Sequence, residues 1–268
     1  MKILPKTLDE HKEYTEKMLR LSFFFARRWL AERAPEKKMS ELLADHTPAF
    51  YHGLHYAPGT WYDQPECLEI LETADRYSAL SPEEFEEIMW KSFHELAESR
   101  AEENYSIAVG VNVKPGWNCG SLKYDPPKDS LPEGWIVFHI ANAVGPNSIF
   151  TDPDYLPQCF LLLMKETELR YGSHTLYTST WLNDRSEWLE LFPQEWHSNL
   201  EVETDTPDLP PWHFGWWGQI VTRQGMVSPV MDQFVRERGR LKYISKSSHC
   251  SFEAMRNHLK KRKGGSFR

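Results

Sequence analysis

Between residues 135 and 181 the chain reads as strand, helix and strand in close succession, and this limits the fold more than any other feature. Trp135 to Ala141 is a nearly continuous apolar run, which suits a central strand buried on both faces. Pro153 to Tyr171 carries its apolar residues at helical spacing. Gly172 is placed to stop that helix, because glycine enters the left-handed conformation without a Cβ clash. Thr175 to Trp181 then reads as the next strand.

The flanks extend the pattern. Tyr105 to Val113 alternates apolar with small or polar residues, as a strand does. Pro115-Gly116 makes a turn, and Gly120 to Tyr124 is a short strand. Asp184 to His197 is expected to be a helix interrupted near Pro193, Phe214 to Arg223 a strand, and Phe252 to Lys261 a last helix. The acidic, Pro-rich stretch from Glu201 to Pro211 reads as a surface loop.

The first third is helical. Tyr14, Met18, Leu21, Phe25 and Trp29 recur at three- and four-residue steps, so Leu8 to Arg33 is one long helix that Ala34-Pro35 ends. Residues 46–80 look irregular. Ser81-Pro82-Glu83-Glu84 has the form of a capping box with Pro at the first helical position, and Phe85, Met89, Phe93, Leu96 and Ala97 give the following helix a buried stripe. The expected class is α+β, a mixed sheet flanked by helices with a helical elaboration over residues 1–104 and an α/β region over 105–268. No linker separates the two, so they are expected to form one compact domain.

Composition narrows the function. A net charge of -8 argues against a nucleic-acid surface, which needs clustered Lys and Arg. The basic stretch Lys260 to Arg268 reads as a frayed terminus. No apolar run nears the roughly 20 residues of a membrane span. Met1 to Glu10 lacks the apolar core of a signal peptide, and Cys67, Cys119, Cys159 and Cys250 form no CxxC pair, so a cytoplasmic protein with reduced thiols is expected. The 11 Trp residues favour a concave site for a small molecule. Partners of other kinds, and the oligomeric state, leave no mark in the sequence.

Three pieces between Ile136 and Phe192 resemble the GNAT family of acyl-CoA-dependent N-acyltransferases. The strand Ile136-Val-Phe-His-Ile-Ala-Asn142 is similar to the family's central strand. Asp152-Pro-Asp-Tyr155 leads into a helix like the family's cofactor helix. Thr175 to Asn183, followed by Trp188 to Phe192, looks like the next strand, its Asn-bearing turn and the helix after it. The resemblance implies a pantetheine arm paired with an edge where two parallel strands splay, and a pyrophosphate on backbone N–H groups at the helix N-terminus. It implies acyl-CoA as cofactor, transfer of the acyl group to an amine of a small molecule, and Tyr155 and Gln158 at the cofactor. The family's loop carries closely spaced glycines, whereas Leu156-Pro157-Gln158-Cys159-Phe160 has none. Phe192 stands where many members have a proton-donating Tyr. These departures keep open a non-catalytic ligand-binding protein on the same scaffold.

Several side chains carry candidate chemistry. On the central strand, His139 is either a base for an amine or a hydrogen-bonded core residue. Asn142 and Asn183 end adjacent strands, where open sheets bind ligands, though Asn is also ordinary turn chemistry. His46, His52 and His55 form the densest histidine cluster, an alternative zinc or iron site, although the spacing matches no standard ligand pattern. If Trp212 to Gln219 is a strand, His213, Gly215, Trp217 and Gln219 share one face and wall a polar pocket, Trp packing being the other reading. Cys250 beside His249 reads as a structural thiol, since neighbours in an extended segment point apart.

Overall fold

The computed structural model describes residues 7–108, 118–145, 147–202, 204 and 209–265. Helices α1 (Leu8–Glu32), α2 (Met39–His46), α3 (Pro65–Arg76) and α4 (Pro82–Ala108) come first. Next are strands β1 (Asn118–Cys119), β2 (Leu122–Tyr124) and β3 (Trp135–Ile140), then α5 (Tyr155–Tyr171) and β4 (Thr175–Thr180). Short helices α6 (Ser186–Leu189) and α7 (Gln194–Ser198), β5 (Glu201–Val202), α8 (Phe214–Trp217), α9 (Pro229–Arg238), β6 (Lys246–Ser251) and α10 (Phe252–Gly265) complete the order. The class is α+β with a helical N-terminal region. Two compact units divide the chain, residues 4–111 with 206–242 and residues 112–205 with 243–268. The helical unit therefore closes later than residue 104 and reclaims α8 and α9.

Helical starts follow their caps. Thr7 Oγ1 accepts from the Glu10 N–H at 3.1 Å while Glu10 accepts from the Thr7 N–H at 2.8 Å. The same reciprocal pair forms between Ser81 and Glu84 at the start of α4. Helix α1 packs on α4, with Phe23 and Phe85 meeting edge to face at 6.5 Å. The alternating strand expected from Tyr105 is helical through Ala108; its remainder, residues 109–113, and the Pro115-Gly116 turn lie outside the described residues. A few alternating residues cannot outweigh the continuation of an established helix. Residues 46–80 are more regular than expected, with a π-helical turn at Ala49–Gly53 and with α3 started by Pro65.

The other unit is built on a six-stranded sheet in the order β1-β2-β3-β4-β6-β5. Among the described residues only β3 and β4 run parallel, joined by α5, whose left-handed cap is the expected Gly172 at φ 65. Phe160 of α5 is fully buried and meets Phe138 edge to face at 5.5 Å. Burial alternates along β3: Ile136 and Phe138 are sealed, Trp135 and Val137 half-buried and His139 exposed. The expectation of a strand buried on both faces is thus corrected. Its apolar run serves one packed face and one aromatic, partly open face, where Trp135 lies 4.4 Å from His249 and 5.7 Å from Tyr177.

Candidate functional site

The backbone ladder between strands β3 and β4 stops before the strands end. Their ladder runs from Trp135↔Thr175 to Val137↔Tyr177, yet β3 continues to Ile140 and β4 to Thr180. Just beyond the last rung, Thr178 Oγ1 donates to the Phe138 carbonyl at 2.6 Å. The backbone bonds Asp125 N–H to Val137 C=O and Ala141 N–H to Ser121 C=O aim the odd residues of β3 at β2. By the same alternation, Ile140 turns its N–H and C=O toward the gap beside β4.

His139 sits next to that opening. Its Nε2 is 3.0 Å from Asp125 Oδ2, and Lys128 holds the same carboxylate at 2.7 Å. Partial burial pushes the Asp125 carboxyl up, but hydrogen bonds from Lys128 and His139 outweigh it and hold the group below the ordinary aspartate value. An ionised Asp125 accepts from Nε2–H, so in the neutral imidazole the lone pair falls on Nδ1. With about half its side chain exposed, His139 is accessible rather than sealed in the core. Directly across the β2–β3 ladder stands Lys123.

The start of α5 is tied to the β1–β2 turn. Tyr155 Oη lies 3.0 Å from Ser121 Oγ, which accepts the Ala143 N–H at 3.0 Å. Gly120, at φ 69, makes the turn, and a Cβ there would meet Cys159 Sγ at 2.6 Å. Burial raises the Tyr155 phenol. Gln158 is exposed, and Asn142 is spent on its own turn, accepting from Val144 N–H at 3.1 Å and donating to Asn147 C=O at 2.9 Å. The first turn of α5 is a poor cradle for a pyrophosphate. Asp152 and Asp154 place negative charge before it, and Pro157 contributes no N–H.

Asn183 is fully buried and shared four ways. Its Oδ1 accepts from Trp188 Nε1 at 2.9 Å and Trp196 Nε1 at 3.2 Å, and its Nδ2 donates to Lys246 C=O at 2.7 Å and, weakly, to Thr178 C=O at 3.5 Å. It thereby fastens the ends of β4 and β6 over two indoles. Phe192 joins the same interior, stacked on Trp196 at 4.0 Å.

The remaining candidates lie in the helical unit. His46 Nδ1 is 3.2 Å from the Pro210 carbonyl. His52 stacks on Phe214 at 3.3 Å, while His55, in the left-handed region at φ 60, lies 5.0 Å from the His11 ring. Burial pulls the His52 imidazole well below its ordinary pKa, and His55 and His213 add to the effect. No group of three or more His, Cys, Asp or Glu forms a metal site among the described residues, so the structure does not gather His46, His52 and His55 around one point. The strand expected at Phe214 to Arg223 is instead the helical turn α8 followed by a 3-10 turn at Gly218–Ile220. His213 Nδ1 caps the Gly215 N–H at 3.2 Å, Trp216 and Trp217 are buried, and Gln219 Nε2 donates to the Trp216 carbonyl at 2.9 Å. The alternating face of His213, Trp217 and Gln219 therefore does not form. A local cap and two buried rings outweigh a pattern that fits either period.

All four cysteines are reduced and buried, and burial pushes the Cys250 thiol up. Among the described residues no helix is long and apolar enough to cross a membrane. No family model, curated protein or solved structure matches the chain. Asp125, Ser121 and Thr178 escaped sequence reasoning, because only the antiparallel β2–β3 pairing brings Asp125 to His139.

Proposed function

We propose that the sheet unit is an acyltransferase of the GNAT kind, moving an acyl group from a pantetheine thioester such as acyl-CoA to an amine of a small molecule. The observation that carries this reading is the one parallel pair among the described residues of the sheet, β3 and β4, whose ladder stops after Val137↔Tyr177 while both strands continue. An extended pantetheine arm needs such an edge, and Ile140 turns its backbone groups to it. Beside the opening, His139 supplies a base from Nδ1, oriented by Asp125 through Nε2. The amine nitrogen attacks the thioester carbonyl, His139 takes the amine proton, the C–S bond breaks, and the proton passes to the departing thiolate.

Fold likeness alone never fixes a reaction, so the test is on the site. Asp152 and Asp154 just before α5 favour recognition of the arm over the pyrophosphate. S-acetyl-N-acetylcysteamine, which keeps the arm and lacks the nucleotide, should then raise the melting temperature nearly as far as acetyl-CoA. At one hundred times its dissociation constant a ligand stabilises by about 2.7 kcal/mol, several degrees for most domains. No shift with either thioester would remove the reading.

A further inference from the structure

In the helical unit, α1 and α9 enclose a cleft of about 330 Å³. Two of its lining residues, Arg20 and Arg236, converge on one buried carboxylate. Glu86 of α4, 6% exposed, accepts from Arg20 Nε at 3.0 Å and from both terminal nitrogens of Arg236 at 2.6 and 3.1 Å. Arg20 Nη2 is also engaged, by Glu87 at 2.9 Å, and Arg236 Nε by Asp232. Both guanidiniums are therefore held by several hydrogen bonds, and a fixed donor loses little freedom when it binds.

What the network leaves over faces the cleft. Arg20 Nη1 stands 4.0 Å from Glu16 Oε1, too far for a hydrogen bond. Among the described residues Lys17 is tethered to Glu13 on its own helix. The cleft thus presents a pinned guanidinium edge and a movable ammonium beside a carboxylate, Glu16, whose ion pair with Arg20 is loose. Val227 and Pro229 add an apolar wall. Opposite charges held a few ångströms apart next to an apolar wall match a small molecule that carries both signs itself.

We infer that this cleft binds a small zwitterion of the α-amino-acid type. Its carboxylate sits on Arg20 Nη1 and Lys17, its ammonium on Glu16, and its aliphatic side chain on Val227 and Pro229. The inference is independent of the acyl-transfer reading and needs no thioester to test.

Calorimetric titration with L-leucine, L-leucine methyl ester and N-acetyl-L-leucine separates the charges. L-leucine should bind saturably, and each derivative, lacking one charge, should bind about tenfold more weakly, as loss of one charged hydrogen bond implies. Glu16→Gln and Lys17→Ala remove no bond to Glu86 and touch only exposed pairs on α1, so each should weaken L-leucine several-fold and shift the melting temperature little. Absence of saturation by roughly 50 mM, a free energy too small for a specific site, overturns the inference. So does equal affinity for L-leucine and N-acetyl-L-leucine, which would make the cleft an anion site. Unaltered affinity in both variants would place any binding elsewhere.

Discussion

Asn183 illustrates how much one side chain organises and how little of that a sequence displays. Its place in a turn after a strand is legible from Trp-Leu-Asn-Asp. The two indole N–H groups that converge on its Oδ1 come from residues 188 and 196, and nothing in their spacing announces it. Asn183→Ala would strand both indoles and the Lys246 carbonyl in the interior, at a cost of at least about 3 kcal/mol. The urea midpoint measures this, and a loss below about 1 kcal/mol would show that the interior relaxes around the gap. His139 and Asp125 teach the same lesson at the site. The histidine was visible on its strand, while its carboxylate, 14 positions earlier, became a partner only through register.

Among the elements, those with their own local signals were readable: α1 and α4 from caps and stripes, α5 from its spacing and Gly172, β3 and β4 from apolar or β-branched runs. Strand β6, Lys-Ser-Ser-His-Cys-Ser, has no such signal. It is extended because all six of its residues pair with β4, a nonlocal cause. Helix α8 went the other way, since its Gly and Trp residues permit either period until packing decides. The opening between β3 and β4 also belongs to this scale, and the Thr178 hydroxyl is its strap. Thr178→Val keeps the volume and leaves the Phe138 carbonyl without that donor, so stability should fall by about 1–2 kcal/mol and amide exchange should quicken in both strands. Unchanged stability and exchange would mean that the strands hold their separation unaided.

Over the whole molecule, acid should weaken folding in two stages. His52, His46 and His258 all have imidazole pKa values lowered by burial, so between their folded values and the unfolded value near 6.5 the unfolded chain binds more protons. Their stabilisation is therefore present above about pH 6.5 and is lost as the pH falls. Asp125 and Glu84 are shifted down by hydrogen bonds that win over partial burial or face little of it; their share is lost later, as the pH drops through the carboxylate range. His52 is the steepest contributor. Its Nε2 is sealed and has no hydrogen-bond partner among the described residues, His55 and His213 neighbour it, and Arg100 binds the carbonyls of Leu54 and His55, while Glu66 is occupied by Tyr56. Protonation there meets positive neighbours and no free carboxylate among these. Urea midpoints taken from pH 7.5 to 5.5 should decline, by at most about 1.4 kcal/mol per pH unit for one group. In His52→Gln the decline over this range should be shallower, with the later carboxylate stage unaltered. A profile that stays flat to pH 5 in the native chain would mean that His52 finds a solvent path or an acceptor when it takes up its proton.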